Sequence, residues 1–330
     1  MKQSDNWFGQ IMTSRLDFIA QSGLGRLIAR ILGSLGVSGR STVIGIPFFW
    51  LFLFFLFPFA VVLRITFSES AVASPPYTSL FEWAEDAVLN IRLSFASYQF
   101  VMEDNLYLTA YLNSVRIAAI STVLCLLVGY PMAYGIARCS PSVRSSLLML
   151  VILPFWTSFL LRVYAWVGIL QNNGVINNFL LSIGVIHEPI QMLQTDFAVY
   201  VGIVYSYLPF MILPLYANLE KMDLTLLEAA SDLGCRPWRS FLKITLPLST
   251  SGIVAGCMLV FIPAVGEFVI PTLLGGPATT MIGRVLWDEF FSNRDWPVAS
   301  TVAIAMLFLL VLPVMFFRGI QDKTLEGQKS

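Results

Sequence analysis

The sequence predicts an all-α integral membrane protein with six transmembrane helices, and three observations carry that prediction. Hydrophobic residues make up 57% of the 330 and charged residues only 12%, where a soluble chain carries about 25% charged residues. Six apolar runs each approach the roughly 20 residues that cross a bilayer as a helix. Lys and Arg fall mainly on one side of those runs, as in proteins inserted with their basic loops inside. The formal net charge is zero, so the chain has neither the basic field of a nucleic-acid binder nor an acidic tail.

Residues 1–42 precede the first apolar run. Trp7, Phe8, Ile11, Leu16, Ile19, Leu24, Leu27, Ile28 and Ile31 recur there at near-helical spacing among Arg and polar residues. That pattern suits an amphipathic helix on the inner membrane surface, with a loosely ordered tail as the alternative. A signal peptide starts its apolar stretch much earlier, so this segment is expected to stay attached.

The first span covers 43–65, with Pro47 and Pro58 near its ends, and with the outer loop that follows it makes up a region 43–109. A second region, 110–318, holds five further spans at 112–137, 147–169, 198–216, 251–274 and 298–317. A patterned loop, 218–247, separates the third and fourth of these. Residues 319–330 form a tail.

Orientation follows from the cations. With the N-terminus inside, the inner segments hold Lys2, Arg15, Arg26, Arg30, Arg40, Arg138, Arg144, Lys221, Arg236, Arg239, Lys243, Arg318, Lys323 and Lys329. Only Arg64, Arg92, Arg116, Arg162, Arg284 and Arg294 lie outside or near outer ends. The loop after the first span is acidic instead, with Glu69, Glu82, Glu85, Asp86, Glu103 and Asp104. Both termini are therefore expected in the cytoplasm.

Several function classes lack support. Cys125, Cys139, Cys235 and Cys257 fall in spans or on the inner side without a CxxC pair, which indicates neither zinc nor disulfides. The single histidine, His187, reads as a solvated loop residue, so no metal site is expected. SLGVSGRS, residues 34–41, loosely resembles a phosphate-binding loop, but Ser34 stands where the first Gly belongs and Arg40 replaces the Lys. No buried strand precedes it, so the chain is not expected to bind ATP itself. An enzyme would need a catalytic cluster, and no HExxH, GxSxG or paired carboxylate stands at a membrane face.

The loop EAASDLGCRPWRSFLKITLP, residues 228–247, carries more pattern than a linker needs. Asp223 or Thr225 can cap a short helix, and Glu228 favours the positive end of its dipole. Ala229 and Ala230 give it a small-residue surface, and Gly234 ends it. Pro237 opens the next helix, and Pro247 allows a break before the following span. Two short helices along the cytoplasmic surface are expected; ordinary interfacial helices are the alternative.

The span 251–274 is interrupted by Pro263, Gly266 and Pro271, and Gly275, Gly276 and Pro277 follow. Broken helices at membrane depth survive where they face protein or a water-lined path. Glu267 lies in that interruption, and an intramembrane carboxylate usually faces a polar pathway. Phe268 beside it, Thr272 one turn on, and Trp287 with Asp288 beyond the turn complete a candidate cation site, since aromatic faces attract ammonium groups. The alternative is a structural acid paired with Arg162 or Arg284. GIVAG, residues 252–256, permits close helix contact, within the chain or against a partner.

The loop spacing resembles that of permeases of bacterial binding-protein-dependent ABC importers. Glu228, Ala229, Ala230, Gly234, Ile244, Leu246 and Pro247 match the family pattern without departure, with Asp232 between them. Residues 75–83, 153–180, 260–276 and 281–300 are similar to the polyamine (putrescine and spermidine) permeases of that family, and to the putrescine type more than to the spermidine type. The likeness covers nearly everything beyond residue 41. It implies the type I ABC importer permease fold in a bacterial inner membrane, with 110–318 as the shared permease core. It also implies that the short helix docks into a cleft on a cytoplasmic ATPase. The partners implied are a homologous second permease, two copies of the ATPase holding ATP and Mg, and a periplasmic polyamine-binding protein. No cofactor is implied on this chain, only membrane lipid around it. An ion-coupled secondary transporter is the main rival, and would need coupling residues within spans and usually an internal repeat.

Overall fold

The first apolar run carries no charge before Arg64 and is helical throughout in the computed structural model, which describes residues 39–83, 89–277 and 279–327. Helix α1 (Gly39–Leu51) passes through one π-helical turn at Phe52–Leu56 into α2 (Phe57–Ile65). The expected amphipathic helix before it lies outside the described residues. The chain up to Val62 and the chain from Leu63 onward are two separate units.

The loop after the first span is not wholly irregular. Strands β1 (Phe81–Trp83) and β2 (Leu89–Ile91) pair antiparallel, with Phe81 opposite Ile91. The all-α class stands beside this small hairpin, whose three-residue strands are too short to show a period of two in the sequence. Helix α3 (Ala96–Glu103) follows. Asp104 then caps α4 (Asn105–Arg138), accepting from the Leu106 amide at 2.8 Å. That cap starts the helix seven residues before the apolar run does, and α4 reaches 34 residues.

The second expected span of the core, 147–169, is not one straight helix. Pro141 opens α5 (Pro141–Ile152), which tightens into a 3₁₀ turn at Leu153–Trp156 and stops. The Thr157 hydroxyl donates to the Pro154 carbonyl at 2.8 Å and the chain turns extended there. Helix α6 (Phe159–Leu170) leaves at a new angle and is followed by α7 (Val175–Ser182); the two halves meet at 90°. Thr195 caps α8 (Asp196–Leu219), which runs through Pro209 and Pro214.

After α8 come the two expected short pieces, α9 (Thr225–Asp232) and α10 (Pro237–Ser240). A π-helical turn at Phe241–Thr245 and α11 (Leu246–Leu248) extend α10 as far as Leu248. Helix α12 (Thr250–Val265) then departs at 65°. The expected interruption is present: α12 ends at Gly266 and α13 (Val269–Leu274) begins after Phe268. Helix α14 (Ile282–Trp287), a π-helical turn at Asp288–Ser292 and α15 (Trp296–Gly327) complete the described residues.

Three described helices are long and apolar enough to cross a membrane, and five segments are if each bent pair counts as one. The expected six is not confirmed among the described residues, where a further apolar helix covers Trp296–Val311. The chain is helical and membrane-embedded all the same.

Helices α4, α8 and α12 form the centre. Cys125, Ala133, Met211, Leu215 and Val260 are buried in one cluster, and Ile117, Val163, Ile203, Ile270 and Leu274 in another. Lipid tails are as apolar as these side chains, so close packing rather than water exclusion holds such helices together. The GIVAG glycines serve that purpose within the chain. A Cβ on Gly256 would lie 2.7 Å from Met211 Sδ and 3.1 Å from its carbonyl oxygen; one on Gly252 would lie 2.8 Å from Asn218 Cβ. Polar clips reinforce the contact, with Asn218 donating to Ser251 Oγ at 2.7 Å and the Tyr130 and Ser249 hydroxyls 2.9 Å apart. Gly256→Val is therefore expected to cost about 1–3 kcal/mol by overpacking, read as a lower melting temperature of the purified protein. An unchanged melting temperature would mean that α8 and α12 do not touch there.

Candidate functional site

The loop 218–247 folds by local chemistry. Asp223 Oδ1 accepts from the Thr225 amide at 3.0 Å and starts α9. At the other end the Gly234 amide bonds to the Ser231 carbonyl and the Cys235 amide to the Ala230 carbonyl, at 2.8 and 2.9 Å. This closure needs a left-handed residue, and Gly234 supplies it with φ +73°. Pro237 then occupies the first turn of α10.

Glu228, Ala229, Asp232, Gly234 and Pro247 are exposed, Ala230 is buried, and Ile244 and Leu246 are half-buried. The loop is held from beneath. Phe241 packs edge-on against Tyr130 and Tyr134 of α4, with centroids 5.6 and 6.1 Å away. Arg144 donates to Glu220 at 2.5 Å, and to the carbonyls of Ala137 and Cys139 at 3.1 and 3.3 Å. The Glu220 carboxyl is lowered below the usual carboxylate range, first by the Tyr216 hydrogen bond and then by Arg144. Lys221, directly after this clamp, begins the connection into α9.

The outward face of the loop is apolar. Leu224, Leu226 and Trp238 are exposed, and Leu233 is 88% exposed. A groove of about 210 Å³ lies between the short helices, lined by Leu227, Ser231, Cys235 and Phe241 among others.

The second site lies at the break between α12 and α13. Glu267 is only 8% exposed. Its Oε1 accepts from the amides of Val269 and Ile270 at 3.0 and 3.4 Å, which caps α13. Its Oε2 accepts from the Tyr207 hydroxyl at 2.5 Å. No ion pair to Glu267 occurs among the described residues, so the Arg-paired alternative is not the arrangement found. Arg284 sits 4.0 Å from Asp288 instead, and Arg162 lies over the rings of Phe155 and Phe159 at 5.3 and 5.7 Å. The reason is geometric: the break exposes amide donors that reach the carboxylate first.

Phe268 stacks on Trp287 with centroids 4.5 Å apart, and Thr272 donates to the Phe268 carbonyl at 2.5 Å. A pocket of about 500 Å³ opens beside Glu267 and Phe268, walled also by Phe155, Arg162, Tyr207 and Phe210. Thr272, Trp287 and Asp288 do not line it. Trp287 supports it through Phe268, while Asp288 is joined to Arg284 and stands apart. Sequence reasoning missed Tyr207 and Phe210, which lie 60 and 57 positions before Glu267 in an aromatic-rich helix where nothing marks them. Chemically the pocket offers one buried carboxylate and several aromatic faces, the groups that hold an organic cation.

The comparisons with known proteins agree with this architecture. The family described as binding-protein-dependent transport system inner membrane component matches residues 19–327. The spermidine/putrescine transport system permease protein PotB of Haemophilus influenzae is 38% identical over 286 residues, 84% of this chain and 92% of that protein. The protein of the same name from Escherichia coli K12 is 42% identical over 214 residues, 65% of this chain and 78% of that one. Among solved structures, a chain of a bacterial alginate ABC transporter superposes with a TM-score of 0.65 at 16% identity, covering 89% of this chain and 98% of that one. A chain of the inward-facing MetNI methionine ABC transporter gives 0.52 at 15% identity over 66% of this chain and 96% of that one. The two structural likenesses concern fold alone. By its sequence over nearly its full length, the chain belongs to the binding-protein-dependent transport system inner membrane components, the permeases of ABC importers.

Proposed function

We propose that this chain is one of two homologous membrane-spanning subunits of an ATP-driven importer of polyamines. The observation that carries the reading is α9, a capped and anchored helix whose exposed face has no partner among the described residues. Support for the substrate class comes from the similarity to permeases named for spermidine and putrescine, and from the buried carboxylate in an aromatic pocket. Putrescine is the first substrate to test.

In this reading two ATPase subunits hold ATP and Mg and grip α9 of this chain and its counterpart in the second permease. Closure of the ATPases moves α9, which follows directly on α8, whose end is clamped to α5 by Arg144–Glu220, and which leads to α12 through α10 and α11. The bend after Leu248 and the break at Gly266–Phe268 are where that motion is converted into opening on one side or the other. A periplasmic binding protein delivers the amine to the outer face. Glu267 and Phe268 offer it a charge and an aromatic surface on the way.

Copurification tests the assembly. A tagged copy of this chain is expected to bring down a second permease and an ATPase; recovery of the chain alone would contradict the reading. Orientation has its own test. In a cysteine-free background, a cysteine at Pro76 should react with an impermeant thiol reagent added outside intact cells, and one at Ser231 should not. The reverse pattern would place α9 out of reach of any cytoplasmic ATPase.

A further inference from the structure

The pocket beside Glu267 already contains a cation. The Arg162 guanidinium lies over Phe155 and Phe159 at 5.3 and 5.7 Å, on faces that an ammonium group would otherwise use. It is not consumed by an ion pair: no described carboxylate comes within 4.0 Å, although Glu267 lines the same pocket. Its buried Nε has no hydrogen-bond partner. A guanidinium that is partly desolvated, unpaired and held by rings alone is weakly committed to its place. Glu267 is meanwhile satisfied by uncharged donors, the Tyr207 hydroxyl and two amides, so its negative charge is available to a cation in the pocket.

We infer that Arg162 is a tethered competitor for the substrate amine. It occupies the aromatic subsite when the pocket is empty, gives way when an ammonium group enters towards Glu267, and returns to help expel it. Such a device keeps affinity low enough for release, which a carrier needs as much as binding. A purely attractive pocket would hold a polyamine and slow turnover. The inference rests on the polyamine reading above. It adds a specificity-determining role for a residue whose charge has the sign opposite to that expected in a cation pathway.

The test uses the assembled transporter in lipid nanodiscs and labelled putrescine. Arg162→Ala is expected to lower the equilibrium Kd for putrescine by about fivefold or more, the scale of a released cation–aromatic subsite, while ATP-driven turnover in proteoliposomes falls. Methylguanidinium, which replaces the missing group, should compete with putrescine in this variant and weaken its binding towards the wild-type value. Arg162→Lys should resemble wild type. Unchanged Kd, weaker binding, or no competition by methylguanidinium would overturn the inference. If Arg162→Ala does not assemble, Arg162→Gln carries the same test; failure of both to assemble would make Arg162 structural and also overturn it. Failure of the polyamine reading looks different: the wild-type complex itself would neither bind nor carry the amine.

Discussion

Glu228→Arg and Gly234→Asp are each expected to reduce uptake by about tenfold or more, the loss that follows removal of an interface hot spot of roughly 2 kcal/mol. The permease should remain in the membrane at its normal level while the ATPase no longer copurifies. The two substitutions probe different physics. Glu228 is exposed in the first turn of α9, so reversing its charge alters the proposed docking face and opposes the helix dipole. A Cβ at Gly234 would meet nothing within 4 Å, so its direct cost is conformational. An Asp in the left-handed region costs less than the ~1–2 kcal/mol typical of other side chains. A tenfold loss would therefore report on a partner surface pressed against Gly234 rather than on a damaged fold. Normal ATPase recovery together with normal uptake in both variants would refute docking at α9.

Glu267→Gln carries the second large effect. A charge-assisted contact is worth about 1.5–3 kcal/mol, so losing it should raise the substrate concentration for half-maximal transport about tenfold or more. The substitution also disturbs the cap. Two carboxylate oxygens now accept from the Tyr207 hydroxyl on one side and two amides on the other, whereas a Gln offers one acceptor and turns a donor towards the remaining group. Tyr207→Phe separates these roles, because it removes one hydrogen bond and keeps the charge. A pathway role predicts a large shift for Glu267→Gln and a small one for Tyr207→Phe, both normalised to assembled complex. If Glu267→Gln assembles normally and leaves the transport curve unchanged, Glu267 is outside the pathway. If both variants lose the complex, the residue serves only to cap α13.

What the sequence revealed and what it hid follow from the range of the interactions involved. Asp223, Gly234 and Pro237 constrain the backbone within a few residues of themselves, so the two short helices of the loop 218–247 were legible, including the left-handed turn between them. The break at Gly266–Phe268 was legible too, because Pro and Gly punctuate the run. The 90° bend at Thr157 was not: LPFW is as apolar as a straight span, and the turn depends on one hydroxyl closing onto the Pro154 carbonyl. Glu267 stood out as an acid in an apolar run, but its partner Tyr207 comes from another helix, and a tyrosine among many gives no signal. The same limit applies to GIVAG. Its small residues announced a contact, and only the packed structure places Met211 and Asn218 against it. Asp288 shows the converse, since nearness in sequence to Trp287 does not bring it into the lining of the pocket beside Glu267.

Uptake of labelled putrescine into proteoliposomes holding the purified complex and the liganded binding protein tests the central claim most directly. The account predicts accumulation that requires ATP on the ATPase side and persists when proton and sodium gradients are collapsed. Accumulation without ATP that follows either gradient would contradict it and make the chain part of an ion-coupled carrier.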